Sequence, residues 1–555
     1  GRSALVSNST GNDNAAVGRS ALNANTTGSG NVGVGNSALG ANTTGIRNTA
    51  VGVRALYDNT TGTYNTAVGR HALANNTTAS YNVAVGNYAL DINTTGSYNT
   101  ALGYYSSGLN QTGYNNVSVG YLSLYTNTAG EGNVAIGYEA LKLATGSNNT
   151  AIGLQAMTAT TTGTANTGVG DGALESNTTG ADGVAIGRNA LEGNTTGNKN
   201  HGLGRQALYL NTTGSNNVAA GYQALYNNTT ADNNTALGYQ ALYTEDTEGS
   251  LTAVGYQAMY QNNSGVRNTA VGYEASESNV SGGSNTAMGY QALYSNTGDG
   301  NSGFGNDALR NNTSGEKNTA LGNEALENNT TASFNTAIGH ESMTTNTTGQ
   351  YNVAVGSHTL DACTTADDNV AIGHAALGAS TTGYRNSCIG SYAGEDITTG
   401  KQNCAIGHYA LASCTTSDYN TAMGEQALRN VSTGQNNDAL GHAAGYDMTT
   451  GNNNICVGTS SGRSSSPSGA ITTGQYNVCI GNNNITNAYI KVDWTVTSDR
   501  RDKTDITPFT HGLSWINKLN PVTYRWDNRS DYVNGVPDGS KKGSKLNIGL
   551  IAQDE

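Results

Sequence analysis

Proline and tryptophan are missing from most of this 555-residue chain: Pro467, Pro508, Pro521 and Pro537, with Trp494, Trp515 and Trp526, all lie after residue 466. So abrupt a change of character marks a domain boundary. Charge is also scarce, at 12% of residues, about half the ~25% usual for globular domains. The net charge is −13, and since residues 498–555 hold nine Lys/Arg and eight Asp/Glu, residues 1–497 carry −14. An acidic chain with no basic stripe argues against nucleic-acid partners. No apolar run reaches membrane-spanning length, so no membrane insertion is expected. Despite 75 glycines there is no Gly-Lys-Ser/Thr phosphate loop, metalloprotease helix or calcium-binding nonapeptide. The eight His are scattered and none pairs with Cys at zinc spacing, so neither metal nor cofactor is expected.

What is present is a seventeen-residue unit. It is clearest at 52–68, Gly-Val-Arg-Ala-Leu-Tyr-Asp-Asn-Thr-Thr-Gly-Thr-Tyr-Asn-Thr-Ala-Val, and starts over at Gly69. The same glycine recurs at Gly1, Gly18, Gly35, Gly52, Gly69, Gly86, Gly103, Gly120 and Gly137, and the beat continues to Gly458. It slips by one residue only at Gly137 to Gly153 and Gly289 to Gly305, each time within the Asn-Thr-Thr-Gly segment, which identifies that segment as a turn. A fixed period of this kind is the signature of a solenoid, so one elongated object replaces the several domains that length alone suggests.

No apolar run reaches the ~10–12 residues that a helix needs, and short aliphatic pairs between Gly and Asn-Thr turns read as strands. Two strands and two turns per coil are expected. Val17, Val34, Val51, Val68, Val85, Leu102, Val119, Ile136 and Ile152 form one aliphatic ladder, and Leu5, Leu22, Leu39, Leu56, Leu73 and Leu90 a second. At ~4.7–4.9 Å per coil, the 28 intervals from Gly1 to Gly481 make a shaft of roughly 130–140 Å.

The turns admit two readings. Asn8, Asn25, Asn42, Asn59, Asn76, Asn93, Asn110, Asn177, Asn194, Asn211, Asn228, Asn329 and Asn346 all begin Asn-x-Thr acceptor sequences at one phase, so glycans would line one edge. Alternatively, Asn and Thr make good turns and stack as hydrogen-bonding ladders. Later coils replace the Asn with Cys363, Ser380, Ile397, Cys414 or Met448, so the turn works without it. The six cysteines lie between Cys363 and Cys479. Cys388, Cys456 and Cys479 take the Ala phase, Cys363 and Cys414 are three coils apart, and Cys388 and Cys404 differ by one phase, so free structural thiols are expected rather than disulfides. Tyr64, Tyr81 and Tyr98 share a phase, either as a sugar-stacking platform or as an outward ladder covering its own sheet. The densest acidic turn, Glu245, Asp246 and Glu248, has no evident carboxylate partner opposite, so polysaccharide hydrolysis is not expected.

The recurring Asn-Thr-Ala-Val-Gly-x-x-Ala resembles the head repeat of trimeric autotransporter adhesins. The resemblance implies a parallel β-roll in which three chains pack aliphatic ladders against a common axis. That family's repeat is shorter, so the coil here carries a longer turn. The rival is a single-chain β-helix with its own closed core. About four apolar side chains per coil enclose little, which favours three chains.

After the repeats, residues 482–497 read as a connector strand. Residues 510–519 have helical spacing ended by Asn520-Pro521, and 522–526 and 546–552 read as strands. Three blocks, Ser498-Asp499-Arg500-Arg501-Asp502-Lys503-Thr504-Asp505-Ile506, then 516–526, then 548–553, resemble the intramolecular chaperone domain at the C-terminus of endosialidase-type phage tailspikes and tail fibres. In that family the domain trimerises, templates the fibre ahead of it and cuts itself off. The resemblance makes Ser498 the nucleophile and Lys503 its basic partner, with the break between Thr497 and Ser498. A hydroxyl is a weak nucleophile until a neighbouring base takes its proton, and a buried lysine can do so. Asp502 departs from the family's apolar preference, and would hold Lys503 charged and slow the cleavage. The chain begins inside a repeat and stops at Glu555, short of a whole chaperone domain, so both ends read as cuts from a longer protein.

The expectation is therefore an all-β parallel solenoid of seventeen-residue coils over 1–481, trimeric, followed by a connector at 482–497 and a small, truncated α+β chaperone domain at 498–555. Its role would be that of a virion or extracellular fibre binding a cell-surface receptor or glycan. Any enzymatic activity would be a single self-cleavage. The alternative is a cellular filament or adhesin, glycosylated, with the same C-terminal module.

Overall fold

In the computed structural model the described residues are 1–244 and 249–491, with 522–525, 536, 538–540, 542–544 and 546–549 beyond them. Contacts divide the chain into Gly1–Thr486 and Asn487–Glu555. The first unit is a parallel β-solenoid. Twenty-eight three-residue strands, from Ala15–Val17 to Val478–Ile480, form one sheet, and there is no helix among the described residues. Each strand pairs in register with the strand one coil on, as in Thr49↔Thr66, Ala50↔Ala67 and Val51↔Val68. The two short coils keep this pairing, Val134 opposite Thr150 and Thr286 opposite Ser302. The stretched last interval does as well, Ile455 opposite Val478. The length differences fall in the turns, and the strands keep their register.

There is one strand per coil, not the two expected. The Ala-Leu pair after each glycine lies in a turn whose residues at the second and fourth places are left-handed, as in Arg54 (φ 57°) and Leu56 (φ 51°). The two left-handed residues send their N–H groups to opposite neighbours along the column: Leu56 N–H donates to Ala72 O (2.9 Å) and Arg54 N–H to Asn36 O (2.9 Å). Those hydrogen bonds to both neighbouring coils offset a cost of about 1–2 kcal/mol for each left-handed L-residue. The repeat glycine is required at its place. Gly52 has φ 139°, and a Cβ there would press into the carbonyl of Gly69 in the next coil.

The two aliphatic ladders stack as expected but face opposite ways. In coil 52–68, Ala55, Leu56 and Ala67 are buried, and so are Asn59 and Asn65, whereas Val68 is 36% exposed. In a three-residue strand the middle side chain points opposite to its neighbours, so Ala faces the core and the Val, Ile or Leu after it faces out. The chain also closes its own core, contrary to the expectation that a single coil encloses too little. The reason is that two asparagines per coil fill the interior along with the aliphatics.

In a typical coil both asparagines are fully used. Asn59 Nδ2 donates to Asn42 Oδ1 (2.7 Å) and to Gly62 O (3.0 Å). Asn65 N–H donates to Asn48 Oδ1 (2.9 Å) and its Nδ2 to Ala79 O (2.9 Å). Thr60 Oγ1 donates to Thr77 O (3.0 Å). Burying an amide is tolerable only when its hydrogen bonds are made, and a strict repeat supplies an identical partner one coil away.

In the second unit, Val522–Tyr524 pairs antiparallel with Asn547–Gly549, within the two segments read as strands. The helix expected at 510–519 lies outside the described residues, and residues 482–491 contain no strand.

Candidate functional surfaces of the shaft and the C-terminal segment

The outer face of the sheet is the largest candidate surface. Leu102, Ile136, Ile186, Leu237, Leu321 and Leu440 are 47%, 37%, 45%, 43%, 47% and 55% exposed, all at the strand's last place. Beside them, at the place after the glycine, Tyr239, Tyr256, Tyr273 and Tyr290 stack with ring centroids 5.0–5.2 Å apart. Tyr104, Tyr121 and Tyr138 repeat the arrangement. An apolar stripe carried on coil after coil is a candidate interaction face.

The Tyr64, Tyr81 and Tyr98 row is also exposed, its rings 5.1 Å apart and parallel within 5° and 2°. Each ring covers the face of the next. Tyr81 therefore has no free face on which a sugar could stack, and the row is a ladder over its own wall.

The acceptor asparagines are turned inward. Asn25, Asn42, Asn59, Asn76, Asn93, Asn110, Asn177, Asn194, Asn211, Asn228, Asn329 and Asn346 are buried, and only Asn8, on the first coil, is half-buried. In Asn8 as in Asn346, Nδ2 donates to the carbonyl three residues on (3.0 Å in both). A glycan would need that nitrogen free and facing water, so the folded shaft uses these residues as ladders. Where the pattern breaks, a bond is lost. Coil 137–152 places Ala144 in the row, and the buried Oδ1 of Asn127 below it has no partner.

All six cysteines are free thiols. Burial pushes the Cys363 thiol up to about 11 and Cys456 up to about 12, and raises Cys388 as well. Burial thus keeps these three protonated and unreactive at neutral pH. Glu245, Asp246 and Glu248 lie outside the described residues.

Two side-chain clusters are invisible in linear spacing. One pairs His71 with Asp91, Nδ1 to Oδ1 3.8 Å. Burial raises the Asp91 carboxyl to about 6 against the pull of Arg54, and lowers His71 with help from Arg54 and Arg70. Both shifts oppose an ion pair, and Asp91 Oδ1 makes no hydrogen bond, so desolvation outweighs attraction at this distance. The other gathers His340, Glu341 and His358. His340 and His358 are eighteen residues apart, one coil plus one place, a signal that becomes legible only once the period is known.

At the C-terminal end, Thr497, Ser498, Asp502 and Lys503 lie outside the described residues. Residues 498–554 match the family described as chaperone of endosialidase. The match begins at Ser498 and holds all three sequence blocks, but it covers only about a tenth of the chain. The matched segment thus lies after the solenoid in sequence, beyond the connector at 482–497. A search of curated proteins found no match. No helix among the described residues is long and apolar enough to cross a membrane.

Proposed function

We propose that this chain is the shaft of a virion tail fibre, a homotrimer that reaches a cell-surface receptor or glycan and is assembled by its own C-terminal segment. The observation that carries this reading is a chaperone-family segment at 498–554 following 28 in-register coils. The coil is a fibrous, structural element, and the exposed aliphatic stripe supplies the surface for association. Three shafts that turn this stripe toward a common axis bury one aliphatic side chain per coil per chain, worth on the order of 1 kcal/mol each.

After assembly the segment leaves. Lys503 takes the proton of Ser498 Oγ, the oxygen attacks the carbonyl carbon of Thr497, and the Thr497–Ser498 peptide bond breaks as Lys503 returns that proton to the departing Ser498 nitrogen; water then hydrolyses the resulting ester, leaving Thr497 with a free carboxylate and Ser498 with its hydroxyl and a free amine. The purified chain then has a mass corresponding to an end at Thr497, and Ser498→Ala and Lys503→Ala remain full-length. An uncleaved wild-type chain overturns the cleavage, and a monomer by light scattering overturns the trimer. Added hexose mass on the mature chain would point instead to a cellular, glycosylated filament.

A further inference from the structure

We propose that His340, Glu341 and His358 form a binding site for a divalent first-row transition-metal ion, zinc by the chemistry of the donors, bridging two successive coils. His358 Nδ1 lies 3.0 Å from Glu341 Oε2, and His340 Nε2 lies 3.5 Å from Glu341 Oε1. One ligand atom from each residue lies within 4.8 Å of the other two. Zinc at ~2.0–2.2 Å from nitrogen and oxygen holds its ligands about 3.4 Å apart; each imidazole nitrogen stands near that distance from a different oxygen of the Glu341 carboxylate, so the carboxylate presents both oxygens, or turns one toward the pair, to share an ion with them. The remaining closure is a side-chain rotation, available because the His340 and His358 side chains are 51% and 39% exposed.

The fold explains why three such groups meet. His340 follows the repeat glycine Gly339, and the left-handed Glu341 (φ 51°) after it turns the next side chain toward the same corner. His358, left-handed as well (φ 53°), occupies the Glu341 place one coil on, and its N–H donates to His340 O (3.0 Å). Among the described residues no Lys or Arg forms an ion pair with Glu341; its partners are the two imidazoles. His358 also lines, with Asp361, Glu395 and Asp396, a groove of about 330 Å³. The local field therefore favours a cation. Two imidazoles and one carboxylate are borderline donors that suit zinc, cobalt or nickel rather than calcium or magnesium, and they leave a position open to water or another oxygen ligand. A bound ion ties coil 339–355 to coil 356–372.

The test uses the full-length chain without a histidine tag, stripped with chelator and titrated with Co²⁺, then with Zn²⁺ in competition. The expected result is one saturable cobalt site per chain with the visible bands of a low-coordinate ion, displaced by zinc, and a rise in melting temperature with zinc. Glu341→Gln, His358→Ala and His340→Ala each lose the bands and the rise, while melting as wild type without metal. His408→Ala retains both, because His408 and Glu425 form a pair at 4.0 Å with no third ligand among the described residues. Absence of saturable binding, or binding unchanged in Glu341→Gln and His358→Ala, overturns the site.

Discussion

At the residue scale, asparagine does in this shaft what leucine does in most cores, and it does so only in company. Asn59 accepts from Asn76 Nδ2 (2.8 Å) while donating to Asn42 and Gly62. Asn59→Ala therefore orphans several buried groups at a cost of about 1–3 kcal/mol for each one left unsatisfied. Faster amide exchange confined to the adjacent coils is the expected readout. Exchanging a whole run is different. Beyond Asn346 the same row continues as buried Cys363, Ser380, Ile397, Cys414, Val431, Met448 and Ile471, where largely apolar neighbours make few demands on one another. Asp91 is the misfit in its surroundings. Its folded pKa, about 6, lies above its ordinary value of 3.8, so the folded coil keeps a proton that the unfolded chain has released. Stability from this group therefore rises as pH falls through about 6 toward 4, and above 6 its full burial penalty is felt. Asp91→Asn is expected to melt higher than wild type near neutral pH, with the difference shrinking below about pH 6. Paired melts across that range check it.

At the scale of the coil, one strand and a hydrogen-bonded turn of alternating handedness replace the expected two strands. Thr-Ala-Val carries an apolar residue on either face, so alternation alone does not say which one is buried. Small Ala fits the narrow interior, and the bulkier Val, Ile or Leu is left outside. Charging that outer row should spare the coil and damage association. Leu102→Lys, Ile136→Lys and Leu237→Lys together are expected to leave the solenoid's circular dichroism intact and to shift the light-scattering mass from three chains toward one. An unchanged trimer would place the association surface elsewhere on the shaft.

At the scale of the whole chain, near-identical coils pair almost as well after sliding by one full repeat, so many registers compete. The shortened coils at 137–152 and 289–304 and the stretched interval before Gly481 are the irregular marks along the column. Under the proposed function, a non-repeating segment that brings three chains together first would set them in step, and its removal would leave the fibre kinetically trapped. Chains made without residues 498–555 are expected to give aggregates or particles of mixed length. The full chain should give uniform shafts of about 130 Å, from ~4.8 Å per coil, measured by electron microscopy.

The period of seventeen, the place of the Asn-Thr-Thr-Gly turn and the family of the C-terminal segment were all legible in the letters. A repeat writes its own boundaries, and the blocks from Ser498 onward are contiguous in the chain. Tertiary structure alone decided which ladder faces inward, that Leu56 sits in a left-handed turn, that the Asn-x-Thr amides are buried, and that His340 meets His358. No letter marks a left-handed leucine, and a contact between coils depends on which neighbour the stacking supplies. The chemistry of each coil is local, whereas its inside and outside exist only once the next coil is laid upon it.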